Sequence, residues 1–219
     1  MPLILCENIE NGVIGLWKVS EEIHELLKLA KLSDCDSKTY SGITAPHRKK
    51  EWLATRALLN ELIEKPQLIK YYIDGRPYLE DHQANISISH SIGYIAILLH
   101  TTSFPGIDIE LISRKVGRVA SRFLSPDELA ACNNDAELAN RRMLLHWCAK
   151  EAIFKMVPLC NIEFSTEIAI LLNDSTKDSG LFQGFFNDKS GAVPITLNYR
   201  ILSDILIVWG WINQVNFAL

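Results

Sequence analysis

Two stretches of the chain combine residue types that hold anions and cations. Trp147-Cys148-Ala149-Lys150-Glu151-Ala152-Ile153-Phe154-Lys155 reads as helix throughout. Steps of four bring Trp147, Glu151 and Lys155 to one helix face, with Lys150 beside that stripe. Ala149, Ala152, Ile153 and Phe154 supply apolar faces for docking into a core. An aromatic ring, a carboxylate and an ammonium on one stripe suit a metal ion and a phosphate held together. The plain alternative is an i,i+4 Glu→Lys surface pair, worth about 0.3–0.5 kcal/mol. Upstream, Gly106-Ile107-Asp108-Ile109-Glu110 alternates as a strand. Asp108 and Glu110 share one face, Ile107 and Ile109 the other. Adjacent like charges repel unless a cation compensates them. Mg²⁺ needs only a few carboxylates together with waters and phosphate oxygens, and Glu151 is the natural third carboxylate. Solvated acids on a strand edge are the plain alternative here.

Two further groups precede these. Ser89-His90-Ser91 follows the strand ending at Ile88, so its hydroxyls and imidazole offer donors from a fixed strand end, a cup for a phosphate. Alternation makes Ser87 and Ser89 the polar face. Gly75-Arg76-Pro77 is a tight turn with a stiff exit that sets Arg76 in a defined place. Read separately, these are an ordinary turn and an ordinary hairpin.

The elements that must position these residues follow from periodicity and punctuation. Leu3–Glu7 and Val13–Val19 read as strands around Asn11-Gly12. Ser20 is expected to cap a helix running to about Lys31. Ser33–Thr44 reads as a polar connection. Pro46 opens a helix that runs to about Lys65, with Trp52, Leu53, Leu58, Leu59, Leu62 and Ile63 turned to the core. Strands are expected at Leu68–Ile73, Pro77–Leu79, Ile86–Ser89, Tyr94–Leu99 and Ile107–Leu111. Val116–Phe123 reads as helix. Ser125-Pro126-Asp127-Glu128 is a strong helix start, with Ser as cap and Glu three residues on. The long helix is expected over Arg141–Val157. From Phe164 the chain reads as a meander with strands near Glu167–Leu172, Leu181–Phe186, Ile195–Ile201 and Ile205–Trp211. The fold class is α+β. Two halves, 1–105 and 106–219, each place helices on a mostly antiparallel sheet, and a ligand cleft between them is expected.

A chain of 219 residues with a formal charge of −4 and ordinary apolar content is expected to be globular, not disordered and not a nucleic-acid binder. Its basic clusters, His47-Arg48-Lys49-Lys50, Arg114-Lys115 with Arg118 and Arg122, and Arg141-Arg142, suit anionic small molecules or an acidic partner. Cys6, Cys35, Cys132, Cys148 and Cys160 lack metal-type spacing and read as reduced thiols of a cytoplasmic protein. Cys148 reads as a packing residue, not a nucleophile. No basic leader with an apolar run and no membrane-length apolar segment is found, so no membrane association is expected.

The ordered set Gly75-Arg76-Pro77, Ser89-His90-Ser91, the Gly106–Glu110 strand and the Trp147–Lys155 helix resembles the 4′-phosphopantetheinyl transferases of the surfactin-synthetase type. The family's Gly-(Ile/Val)-Asp-(Ile/Val)-Glu strand and its Trp-x-x-Lys-Glu-(Ala/Ser)-x-x-x-Lys helix are both intact, and Arg122-Phe123-Leu124-Ser125 matches the lead into the helical segment. The likeness runs from about Arg48 to Lys155, and the final strands match in character only. It implies holo-[acyl-carrier-protein] synthase activity. The phosphopantetheine arm of coenzyme A passes to a serine of an acyl or peptidyl carrier protein, and adenosine 3′,5′-bisphosphate leaves. Asp108, Glu110 and Glu151 would hold Mg²⁺. Lys155, assisted by Lys150, would neutralise the diphosphate. Ser89, His90, Arg48 and Arg76 would meet the 3′-phosphate, with Lys49 or Arg56 as substitutes for Arg48. The base is Glu151, directly or through water, or a metal-bound water. Arg114–Arg122 with Val116, Val119 and Phe123 would face the acidic carrier. The length of the surfactin type implies a monomer. A coenzyme A or carrier-binding module without catalysis is the alternative.

Overall fold

The computed structural model of the chain describes residues 2–157, 161–172, 175–188 and 191–213. The chain forms two compact units, residues 1–102 and 103–219. The division expected at 105/106 therefore falls inside a strand.

In the first unit, β1 (Leu3–Ile9) and β2 (Gly12–Lys18) form a hairpin whose turn residue Asn11 has φ 52°. Three helices follow: α1 (Ile23–Ala30), α2 (Asp34–Gly42) and α3 (Pro46–Leu62). β3 (Ile69–Tyr71) pairs with β4 (Pro77–Leu79) as a small hairpin. β5 (Asn85–Ser91) and β6 (Tyr94–His100) complete an antiparallel sheet in the order β1-β2-β6-β5. The core lies between this sheet and the helices and contains Trp17, Leu26, Leu53, Leu58, Ile95 and Ile97.

Two expectations are corrected here. Helix α1 starts two residues later than a Ser20 cap requires: Glu22 is the cap, and its N–H donates to the Glu25 carboxylate at 2.8 Å. The segment read as a connection is helix α2, capped by Ser33, whose hydroxyl accepts from Asp36 N at 3.0 Å. Its composition carries no apolar stripe and it buries no residue, so periodicity is silent. Asp36 ties it to α3 instead, through Arg56 at 2.8 Å.

In the second unit, β7 (Ser103–Leu111) leads to a 3₁₀ helix over Gly117–Arg122, within the span expected to be helix. Then come α4 (Pro126–Asn133), α5 (Ala139–Met156) and a short α6 (Phe164–Glu167). β8 (Ile168–Leu171), β9 (Ser179–Asp188), β10 (Gly191–Leu202) and β11 (Ile205–Asn213) form with β7 an antiparallel sheet ordered β7-β11-β10-β9-β8. β7 is thus an edge strand, which explains how it tolerates Pro105 within it. Ser125 and Glu128 form the expected reciprocal cap of α4. Val116 and Phe123, expected to face a partner, are each 1% exposed and belong to the core around α5.

Cys6, Cys35, Cys132 and Cys148 are free thiols, and Cys160 lies outside the described residues. Among the described residues no helix is long and apolar enough to cross a membrane.

Candidate active site

The second unit brings its two chemical stretches together at one place, and a glycine makes this possible. A Cβ on Gly106 would land on the carbonyl oxygen of Ala152 and on the Met156 side chain. Only glycine lets the β7 backbone approach α5 this closely. One strand step further, Asp108 and Glu110 face the Trp147–Glu151–Lys155 stripe. Lys155 Nζ donates to Asp108 Oδ1 at 2.9 Å and to the carbonyl of Ile107 at 2.8 Å. The Trp147 indole N–H donates to Glu110 Oε1 at 3.3 Å. Asp108 and Glu110 are only 6% and 8% exposed, while Ile107 and Ile109 are sealed in the core behind them.

Glu151 sits within the field of this cluster. Burial raises its carboxyl above the usual range and the Asp108 charge raises it further, against the opposing pull of Lys155 and Arg114. Arg114, read from sequence as part of a docking patch, belongs here. It pairs with Glu110, and its guanidinium lies 5.2 Å from the Trp147 ring centroid. Nothing in the local pattern announces this, since the chain turns between Leu111 and Arg114. Cys148 is fully buried and hydrogen-bonded to Asp108. Burial first, and then the Asp108 charge, pushes its thiol far up, so it stays protonated.

Lys150 does not join the site. Its side chain is 0% exposed, and its ammonium donates to Glu128 Oε2 at 2.7 Å, Phe164 O at 2.8 Å and Ile168 O at 2.6 Å. All three donors are spent inside the second unit, so the expected diphosphate contact is withdrawn. The residue is a structural pin between α5, α4 and the α6–β8 corner.

The first unit holds a cavity of about 340 Å³ lined by Ile43, Arg48, Trp52, Arg56, Tyr71 and His90, among others. His90 and Arg48 therefore meet at one opening. Arg48 is well exposed and loosely paired with Glu51 at 3.6 Å. Arg56, weighed as its substitute, is committed to Asp36, and its guanidinium carbon lies over Trp52, 3.2 Å from the ring centroid. Ser89 and Arg76 do not line this cavity. Strand β5 runs on to Ser91, so no turn begins at Ser89; Ser89 is buried on the face opposite His90. Arg76 is held in its own turn, its Nε 2.7 Å from Asp74 Oδ2. Tyr71 and Trp52 are among the lining residues that no sequence motif picks out.

Asp108, Glu110 and Glu151 are an all-oxygen donor set suited to a hard cation. The mutual repulsion of Asp108 and Glu151 is what a divalent ion would relieve. In this conformation Lys155 and Arg114 take part of that role. Among the described residues no group of three or more His, Cys, Asp or Glu side chains is gathered tightly enough to hold a metal ion.

No curated protein matches the chain. Residues 105–193 match the family model described as 4′-phosphopantetheinyl transferase superfamily, a span that takes in the β7 acids, Arg114 and all of α5. Over that span the second unit is similar to the 4′-phosphopantetheinyl transferase superfamily.

Proposed function

We propose that the chain transfers the 4′-phosphopantetheine arm of coenzyme A to a serine hydroxyl of an acyl or peptidyl carrier protein, in the manner of the surfactin-synthetase type. The observation that carries this reading is the Trp147–Glu151–Lys155 stripe laid against Asp108 and Glu110 inside the matched span. The serine oxygen forms a bond to the phosphorus bearing the pantetheine arm. The bond from that phosphorus to the diphosphate bridge breaks, and adenosine 3′,5′-bisphosphate leaves.

Such a displacement needs charge neutralisation, an in-line approach and an acceptor for the serine proton. Asp108, Glu110 and Glu151 would hold Mg²⁺, which when bound neutralises diphosphate oxygens. Lys155 carries the ammonium that takes up charge developing on the leaving group. It is one-quarter exposed, so it stays open to solvent while paired with Asp108. Glu151, whose carboxyl burial raises above the usual range, is the candidate proton acceptor, directly or through a water. His90 and Arg48 at the first-unit cavity would receive the 3′-phosphate of coenzyme A. Arg76 and Ser89 would need to leave their present surroundings to do so. The protein would act as a monomer in the reducing cytoplasm.

Incubation with coenzyme A, Mg²⁺ and a panel of apo carrier proteins tests the reading by mass spectrometry. A carrier mass gain equal to the phosphopantetheine arm is expected. Lys155→Ala should reduce its rate by about 30- to 1000-fold, the equivalent of ~2–4 kcal/mol of lost transition-state stabilisation. Coenzyme A or carrier binding with no transfer to any carrier would favour a binding module of the same family over an enzyme.

A further inference from the structure

Helix α2 contributes no fully buried residue, so an apolar stripe does not dock it. Its outward contacts end on the walls of the first-unit cavity instead. Asp36 is bonded through both carboxylate oxygens: Oδ2 accepts from the Ser33 hydroxyl at 3.0 Å, and Oδ1 accepts from Arg56 Nε at 2.8 Å. The Tyr40 ring lies against Trp52 with centroids 5.9 Å apart, and Lys49 Nζ lies 5.1 Å from the Tyr40 centroid. Ile43, the C-terminal cap of α2, donates its N–H to Tyr40 O at 3.1 Å. Arg56, Trp52 and Ile43 all line the cavity.

Arg56 is the joint between helix and cavity. Its side chain is 7% exposed and that of Asp36 12%, so the pair is largely out of water. Arg56 Nη1 also donates to Trp52 O at 3.3 Å, and the Tyr71 hydroxyl is a further hydrogen-bond partner. Its guanidinium carbon lies over the Trp52 ring. Contacts from α2, α3 and β3 thus hold a side chain that is free to sample many rotamers in solution. Taking the carboxylate away leaves a buried cation uncompensated, which favours its escape toward water. Undocking of α2 takes Tyr40 from Trp52 in the same event. Docking of α2 and the shape of this wall are therefore one local equilibrium.

We propose that α2 is a detachable brace of the cavity, with Asp36 as its positioning residue. Docked α2 holds Arg56 over Trp52 while Arg48 and His90 share the opening, an arrangement that meets a phosphate ester. Undocked α2 releases that wall. Ligand in the cavity and α2 on α3 then stabilise each other by the same factor in both directions. The inference rests on the reading of this cavity as the 3′-phosphate site.

Adenosine 3′,5′-bisphosphate is the probe, with affinity measured by calorimetry and α2 docking by hydrogen exchange. The proteins are full-length wild type, Asp36→Ala, Asp36→Glu and Arg48→Ala. Saturating probe should slow exchange across Asp34–Gly42 in wild type by about threefold or more, and leave α1 unchanged. Asp36→Ala should speed that exchange and bind the probe roughly tenfold more weakly, because only the docked fraction offers a complete wall. Asp36→Glu, which keeps the carboxylate, should recover part of both. Faster α2 exchange in Asp36→Ala with equal or tighter probe binding would overturn the brace and leave the cavity assignment standing, as would α2 exchange in wild type that the probe does not slow. Probe affinity unchanged in Arg48→Ala, or no binding by wild type, would overturn the cavity assignment and this inference with it.

Discussion

Replacing Lys150 by Met separates the structural reading of this residue from the ligand contact that its motif suggests. Met fills most of the volume and cannot donate. The substitution leaves the Glu128 carboxylate without its ammonium and strips the Phe164 and Ile168 carbonyls of a donor. Glu128 keeps the N–H groups of Ser125 at 2.8 Å and Ile170 at 2.9 Å, which limits the damage. Removing one partner of a buried ion pair costs about 3–5 kcal/mol. For a chain of this size that lowers the melting temperature by about 6–20 °C. Thermal denaturation followed by circular dichroism measures the loss. Calorimetry at a temperature where the variant is folded measures coenzyme A affinity, which should match wild type. Adding Glu128→Gln should recover part of the stability, because the orphaned charge goes with it. A Lys150→Met protein that melts like wild type but binds coenzyme A tenfold more weakly would refute the argument.

Other expectations follow from the same geometry. Glu151→Gln should raise stability near neutral pH. The native carboxyl titrates above its unfolded value, so between those two values the folded state holds the extra proton, and stability falls as pH rises through that window. The gain from Gln should therefore vanish on acidification below the window, and a gain that persists in acid would rule out this cause. Gly106→Ala should cost about 1–3 kcal/mol by forcing β7 and α5 apart, and it should lower transfer as Asp108 leaves Lys155. Unfolding titrations alongside the carrier assay check both effects. His90→Ala should weaken coenzyme A more than its 3′-dephospho form, measured by calorimetry. An equal loss for the two ligands would place the imidazole away from the 3′-phosphate.

Much of the site was legible in the sequence because periodicity reports which side chains share a face. Alternation put Asp108 with Glu110, and steps of four put Trp147 with Glu151 and Lys155. Ser125 and Glu128 declared the start of α4 three residues apart. These are short-range properties, set by the pleat of a strand and the pitch of a helix. What a face meets is a different matter. Lys150 lies about 100° round the axis from Glu151, and only the packing of α4, α6 and β8 turned that direction into the interior. Arg114 looked like a surface charge until the turn after Leu111 folded it back on Trp147. Ser89 and His90 are neighbours in sequence, yet alternation in a strand longer than expected sent one inward and the other to a cavity. Helix α2 was hidden because an Asp36–Arg56 ion pair, not an apolar stripe, docks it. Residue order decided which groups were available for chemistry; long-range packing decided which charges neutralise each other and which are left to meet a ligand.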